Sequence, residues 1–348
     1  MSVVRKALLL GYGLEQPSFR HRMLNLVTPL QAAGWEVRSE RFPSGRYGIR
    51  TWQRRDLLRS ADVVILHQIK LSALEARLIA SLSRHRIFDV DDAIYVRKPR
   101  RLGEPVNDSI WRRRKFDATC RWSDVVAAGN DVLAAVARGK ADSDEARNEG
   151  ARDVVVLPTS IDASAYRATT AMPDDPPTIA WIGSPENLIY LEMIRPALAR
   201  LATRHPALRL RVICSEFPDW PEITIERVAW SSQTEAASLA TAHIGIMPLT
   251  DDEWARGKCA FKLLQYMAAS LPCVASPVGA NTEAVIDGLN GFHARDNDQW
   301  ERALGRLIDS PPLRLQLGAA GRVHVEQRFS LHNYRRNYVS LLNRLAAG

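Results

Sequence analysis

The chain has 348 residues, 46% of them apolar and 25% charged, a balance that excludes a disordered or fibrous protein, and its length calls for two domains rather than one core. No run approaches the roughly 18 apolar residues of a membrane span, and the opening MSVVRKALLLGYG is too short for a secretory leader. The net charge of +8 is unevenly placed: residues 1–170 hold 29 Lys and Arg against 20 Asp and Glu, whereas residues 171–348 hold 18 against 19. The basic excess is densest at Arg50–Arg55, Arg97–Arg101 and Arg112–Lys115. Such runs suit phosphates, anionic headgroups or nucleic acid, or simply stay solvated. The four cysteines form no C-x-x-C pair, so no zinc or disulfide framework is expected, and free thiols fit a reducing cytoplasm.

Taken in chain order, the first half alternates strand and helix signals. VRKALLLGYG (4–13) reads as a buried strand, and MLNLVTPLQAAG (23–34) as a helix stopped by Gly34. WEVRSERF and ADVVILHQ (61–68) follow as strands, then the helix LSALEARLIASLSR (71–84), then the strand RIFDVDDAIY (86–95), which ends in carboxylates. DVVAAGN (124–130) and DVVVLPTSID (153–162) complete the set. ATTAMPDDPP (168–177) is the linker candidate. The pattern then restarts with the strand TIAWIGS (178–184), the helix 190–206, and the strands LRLRVICS, TIERVAW and AHIGIMPL. From Trp300 onward the chain reads as helices. Val, Ile and Leu strands alternating with helices predict α/β architecture: two tandem doubly wound, Rossmann-like parallel-sheet domains facing a cleft. The domains are expected at 1–170 and 171–330, with 331–348 a helix packing back on the first.

Three groups of residues carry candidate chemistry. ARGKCAFKLLQYMAASLPCVASPVG (255–279) reads as an apolar helix, a turn and a short strand. Lys258, Lys262 and Gln265 recur in it at i, i+4 and i+7, on one helix face. Gly257 admits a close ligand approach, and the helix N-terminus with Lys258 forms an anion site suited to phosphate. The bland alternative is two lysines reaching out to solvent. Asp89, Asp91 and Asp92 in FDVDDAIY offer a D-x-D pair for a divalent metal, a turn cap, or carboxylates at a strand end that act on a substrate hydroxyl. His67 ends a neighbouring strand, where a lone histidine is more often structural. Arg20 and Arg22 follow the first strand's glycine turn, as a phosphate clamp or a solvated helix start. No nucleic-acid reader motif accompanies the basic runs, so no nucleic-acid partner is expected.

FKLLQYMAASLPCVASPVGANTEAVIDGLNGF (261–292) resembles the C-terminal signature of the family 4, or group 1, retaining glycosyltransferases of the GT-B fold. The matching residues are Met267-Ala268, Leu271-Pro272, Val274-Ala275, Gly279 and Glu283, followed by Asp287-Gly288, Asn290-Gly291 and Phe292. VVLPTSID (155–162) and AWIGS (180–184) resemble the family's strands flanking the domain linker. The signature's two glutamates are replaced by Gly257 and Gln265, and the basic residues usual after the AWIGS strand by Ser184-Pro185-Glu186-Asn187. Lys258 and Lys262 are then the natural cations for a diphosphate, and an amide at 265 still serves ribose hydroxyls.

The resemblance implies a glycosyltransferase that moves a sugar from a nucleotide-diphosphate sugar to a glycan or lipid-linked acceptor hydroxyl with retention. The nucleotide sugar is a co-substrate, and no cofactor or metal is called for. Gly183, Ser184, Gly257, Lys258, Lys262, Gln265 and Glu283 would hold the donor. Asp91, Asp92 and His67 would stand at the reacting centre, and Arg20 and Arg22 would meet acceptor or phosphate. The basic first half points to a cytoplasmic protein at the inner face of an anionic membrane. A nucleotide-sugar epimerase of the same fold, or a non-catalytic partner subunit, are the alternatives.

Overall fold

The computed structural model describes residues 4–42, 47–106, 109–139, 151–169 and 176–347. Six strands form the first sheet: β1 (Arg5–Gly11), β2 (Trp35–Arg41), β3 (Val63–His67), β4 (His85–Val90), β5 (Val125–Ala128) and β6 (Val154–Val156). Their order is β2-β1-β3-β4-β5-β6, with every neighbouring pair parallel. The second sheet holds β7 (Thr178–Ile182), β8 (Arg209–Cys214), β9 (Thr224–Ala229), β10 (Ile244–Met247), β11 (Cys273–Ala275) and β12 (Gly291–His293). It runs β12-β11-β10-β7-β8-β9, again all parallel. The two tandem parallel-sheet domains are those predicted. Strands such as VVILH and TIAWI are buried at every position because helices cover both faces of each sheet.

Strand order reverses between β1 and β3 in one sheet and between β7 and β10 in the other. These switch points are where open α/β sheets leave a crevice at the carboxyl ends of their strands. The linker predicted at 168–177 lies mostly outside the described residues. The final helix, Leu331–Ala347, returns to the first sheet. Its Leu331, Tyr334, Tyr338, Leu341 and Leu342 share a core with Leu9, Phe19, Val63 and Ile65.

Several helices differ from expectation. Residues 23–34 form a 3-10 turn, Leu24–Leu26, and a short helix, Val27–Ala32, rather than one element. The helix expected at 190–206 divides into Leu188–Glu192 and Arg195–Arg204, because Pro196 starts a new helix rather than continuing one. The helix expected to carry Lys258 begins only at Phe261, after Ala260 in a left-handed conformation at φ 55°. Lys258 therefore lies in a loop, and the proposed three-residue helical stripe reduces to Lys262 and Gln265. Contacts with the first half draw this loop off the helical path. Asn130 Nδ2 donates to the Gly257 and Lys258 carbonyls at 3.1 Å each. A Cβ on Gly257 would stand 2.5 Å from that of Ala93, so only glycine allows the halves to approach here.

Beneath the first sheet's strand ends lies a buried ion pair. Arg22 donates through Nε and Nη2 to the two Asp89 oxygens at 2.8 and 2.7 Å, with both side chains almost wholly buried. Arg22 Nη1 also donates to the Leu157 carbonyl and to Thr159 Oγ1. Asp89 further accepts from the Tyr338 hydroxyl at 3.0 Å and pairs with His67 Nδ1 at 2.8 Å. Burial alone would raise the Asp89 carboxyl; the Arg22 guanidinium outweighs it and, with His67, holds the group well below the usual carboxylate range. Replacing Arg22 by Ala leaves a buried carboxylate unpaired, and a loss of about 3–5 kcal/mol in urea unfolding of the full chain is expected.

Candidate functional site

A cavity of about 540 Å³ lies between the two halves, at both switch points. That is the size of a small-molecule site. The first half supplies Gln16, Pro17 and Ser18 after β1, Asp91 and Asp92 after β4, and Thr159 after β6. The second supplies Gly183 and Ser184 after β7, Met247 at the end of β10, and Lys258, Lys262 and Gln265.

Three lysines gather on one side of it. Lys258 and Lys262 line the cavity, and Lys98 stands near both, paired with Glu186 across the halves at 3.8 Å. Lys262 Nζ lies 5.9 Å from the Trp181 ring centre, and Lys258 Nζ 5.3 Å from that of Trp254. Burial, then the charges of Lys258 and Lys98, lower Lys262 to about 7, with Asp92 pulling the other way. Burial and then Lys258 lower Lys98 as well. Asp92 is raised by burial, offset by Lys258 and reinforced by Asp91. The cluster is thus crowded with positive charge, and an anion would relieve it. Gly183 leaves room for it: an added Cβ would fall 2.6 Å from the Trp181 ring and 3.1 Å from Lys262 Cε.

The far end is aromatic and polar. Gln265 is buried and donates through Nε2 to the Tyr166 hydroxyl at 3.1 Å. Glu235, also buried, accepts from Trp230 Nε1 at 3.0 Å. Trp230, Glu235 and Gln265 all line this end.

The remaining candidates fall in varied places. His67 lies behind the wall, its Nε2 2.9 Å from the cavity-lining Ser18 Oγ. Asp91 accepts from Gln68 Nε2. Arg22 is consumed by Asp89 and cannot clamp a ligand, and Arg20 does not line the cavity. Gly257 packs against Ala93 instead of the cavity, and Glu283 lies exposed outside it. Asp89 points into the ion pair, so the D-x-D carboxylates do not converge. His21, which lines the cavity, is lowered to about 4 by burial and then Arg20, and is neutral at physiological pH. Sequence reasoning missed Lys98, Ser18 and Glu235. Lys98 had a signal in the Arg97–Arg101 run; the others had none.

Residues 176–310 match the model of the family described as glycosyl transferases group 1. A D-inositol 3-phosphate glycosyltransferase from Streptomyces griseus is 26% identical over 186 residues, covering 47% of this chain and 38% of the relative. The chain spans between 38% and 54% of the length of the curated relatives it matches. The sucrose-phosphate synthase structure from Thermosynechococcus elongatus superposes with a TM-score of 0.75 over 99% of both chains at 14% identity. Anabaena Alr3699/HepE in complex with UDP and glucose superposes with a TM-score of 0.70 over 97% of this chain and 99% of that one, at 11% identity. The architecture is therefore GT-B, and the match to the group 1 glycosyl transferases falls on residues 176–310, within the second sheet's domain.

Sulfate, which does not itself titrate near neutrality, tests the lysine cluster. Lys262 is charged below about pH 7 and increasingly neutral above it. Sulfate affinity, read by tryptophan fluorescence, is expected to fall between about pH 6 and about pH 9. Lys262→Met is expected to weaken sulfate binding and flatten most of that dependence.

Proposed function

We propose that the chain is a glycosyltransferase that takes a sugar from a nucleoside diphosphate and transfers it to an acceptor hydroxyl with retention. One observation carries this reading: Lys258 and Lys262, with Lys98 beside them, meet at a cavity built from the strand ends of both sheets. Such cations stabilise the charge that grows on a departing diphosphate, a leading source of catalysis where water is excluded. The second half would hold the donor and the first half the acceptor. Gly183 and Ser184 lie beside the diphosphate in this reading. Gln265 Oε1 and the Glu235 carboxylate would receive the ribose hydroxyls, and Trp230 would lie against the base. Glu235 thus supplies a carboxylate where the family resemblance leads one to expect it from position 265. Asp91 and Asp92, facing the lysines, would contact the reacting hydroxyl. UDP is the first nucleotide to try, since HepE, of the same fold, was crystallised with it.

The test is a thermal-shift screen with UDP, GDP, ADP, TDP and CMP, followed by transfer assays with the matching nucleotide sugars. A ligand at a hundredfold excess over its Kd adds about 2.7 kcal/mol of apparent stability. One diphosphate should stabilise the wild type, and Lys262→Ala should weaken it about tenfold or more, the loss of one charge-assisted hydrogen bond. No response to any nucleotide would remove the donor-site assignment.

The finer proposal concerns the acceptor's location. Ile110 and Trp111 are 63% and 72% exposed at the start of the helix Ile110–Trp122. Arg112, Arg114 and Lys115 flank them, with the Arg114 guanidinium 5.6 Å from the Trp111 ring centre. Aromatic and basic groups together suit an anionic membrane surface. Flotation with phosphatidylglycerol vesicles should retain the wild type at low salt and release the double variant Ile110→Ser, Trp111→Ser. Equal flotation on uncharged vesicles would reject the proposal.

A further inference from the structure

Ser18, His67 and Asp89 form a relay at the first-half wall of the cavity. Ser18 Oγ lies 2.9 Å from His67 Nε2, and His67 Nδ1 lies 2.8 Å from Asp89 Oδ1. The connectivity is that of a serine-protease triad, but the charge balance is different. The Asp89 carboxylate already takes two N–H groups of Arg22 and the Tyr338 hydroxyl. The guanidinium already meets its charge, so Asp89 needs no imidazolium at His67 to balance it. A carboxylate only accepts, so His67 Nδ1 carries the ring's proton. Nε2 of the neutral ring is then an acceptor, and the Ser18 hydroxyl proton is committed to it. Toward the cavity that it lines, Ser18 therefore offers lone pairs only.

Asp91 on the same wall behaves alike. One of its oxygens is held by Gln68 Nε2, and the other is left for a ligand. Gln68 itself adopts φ 58°, a left-handed conformation uncommon outside glycine. Backbone strain of this kind persists where surrounding structure demands it. At Ser18 and Asp91 the wall thus presents hydrogen-bond acceptors. A phosphate or carboxylate, itself made of acceptors, finds no partner at these two residues. A pair of O–H donors does, and an unpaired buried acceptor discriminates strongly against a ligand that lacks them.

We propose that Ser18 and Asp91 select a neutral polyol as the sugar acceptor, with His67 and Asp89 as positioning residues that hold Ser18 in its accepting state. This rests on the glycosyltransferase reading and narrows its acceptor from any hydroxyl compound to one whose reacting end is uncharged.

Two measurements on the full chain test it. Nitrogen-15 NMR of histidine-labelled protein should find His67 neutral with the proton on Nδ1; an imidazolium or an Nε2–H ring in the resting protein overturns the proposal. Saturation-transfer NMR with UDP present should show myo-inositol and glucose binding, and inositol phosphate and glucose 6-phosphate binding more weakly. Ser18→Ala should weaken the neutral polyols about tenfold, the worth of one hydrogen bond to a buried acceptor, and Ser18→Thr should restore most of it. Tighter binding of the phosphorylated probes, no binding of any polyol, or indifference to Ser18→Ala with UDP still bound each overturns it. Failure of UDP to bind the wild type counts instead against the glycosyltransferase reading.

Discussion

A carboxylate with no solvent exposure must have its charge met inside the protein, and the way Asp89 meets it organises the whole first half of the cleft. Its partners come from four places in the chain: Arg22 from the helix Pro17–Arg22, His67 from β3, Tyr338 from the last helix and, through Arg22, Leu157 and Thr159 after β6. The Arg22 guanidinium also lies 5.4 Å from the Tyr334 ring centre, and the Tyr334 hydroxyl donates to the Arg22 carbonyl. Buried ion pairs of this kind contribute little net stability against a well-packed apolar alternative, but they tolerate few geometries. Their effect here is positional. The segment bearing Ser18, the strand end bearing Asp91 and the returning helix are tied to one carboxylate.

The opposite wall works by unresolved rather than resolved charge. Lys98, Lys258 and Lys262 repel one another, and Asp92 compensates them only in part. A protein that needed these residues only for stability would gain from separating them. Holding them together costs folding free energy that an arriving anion would return, which supports the proposed diphosphate site. Asp92 stands among these lysines, whereas Asp91 lies at Gln68 on the first-half wall, and in the proposed reading this would turn the anionic end of a donor toward the lysines.

The fold was legible in the sequence because its signals are local. Runs such as VVILH and TIAWI announce buried parallel strands without reference to anything distant, and the strands appear where the periodicity places them. Two helices broke at positions that local rules also explain, Pro196 above all. The site was less legible. Lys262 and Gln265 emerged from spacing on a helix that exists, and both line the cavity. Arg22 looked like a clamp because nothing in its neighbourhood reveals that Asp89, 67 residues away, neutralises it. Ser18 is one serine among many until His67 is set beside it by the pairing of β1 with β3. Glu235 becomes interesting only when β9 and its following helix are known to close one end of the cleft. Each miss is a contact between segments far apart in the chain, which periodicity cannot encode.

Lys258 shows how such contacts decide chemistry as well as structure. Continued helix from 255 to 268 would have set it on the same face as Lys262, as local spacing suggests. Instead Asn130 of the first half binds the 257 and 258 carbonyls, and Cys259 lies so close to Gly129 that a Cβ there would fall 2.5 Å from its sulfur. The loop is thus moulded by the other half of the protein. Lys258 gains its place beside Asp92 through that docking, and its charge then lowers Lys262 and Lys98. The cation cluster is therefore a property of the assembled cleft. Lys98 and Asp92 come from the first half and Lys258 and Lys262 from the second, so either half alone would lack the complete cluster. Anion binding at the proposed site would be coupled to the closeness of the two halves, since any opening that parts Gly257 from Ala93 also carries Lys258 away from Asp92.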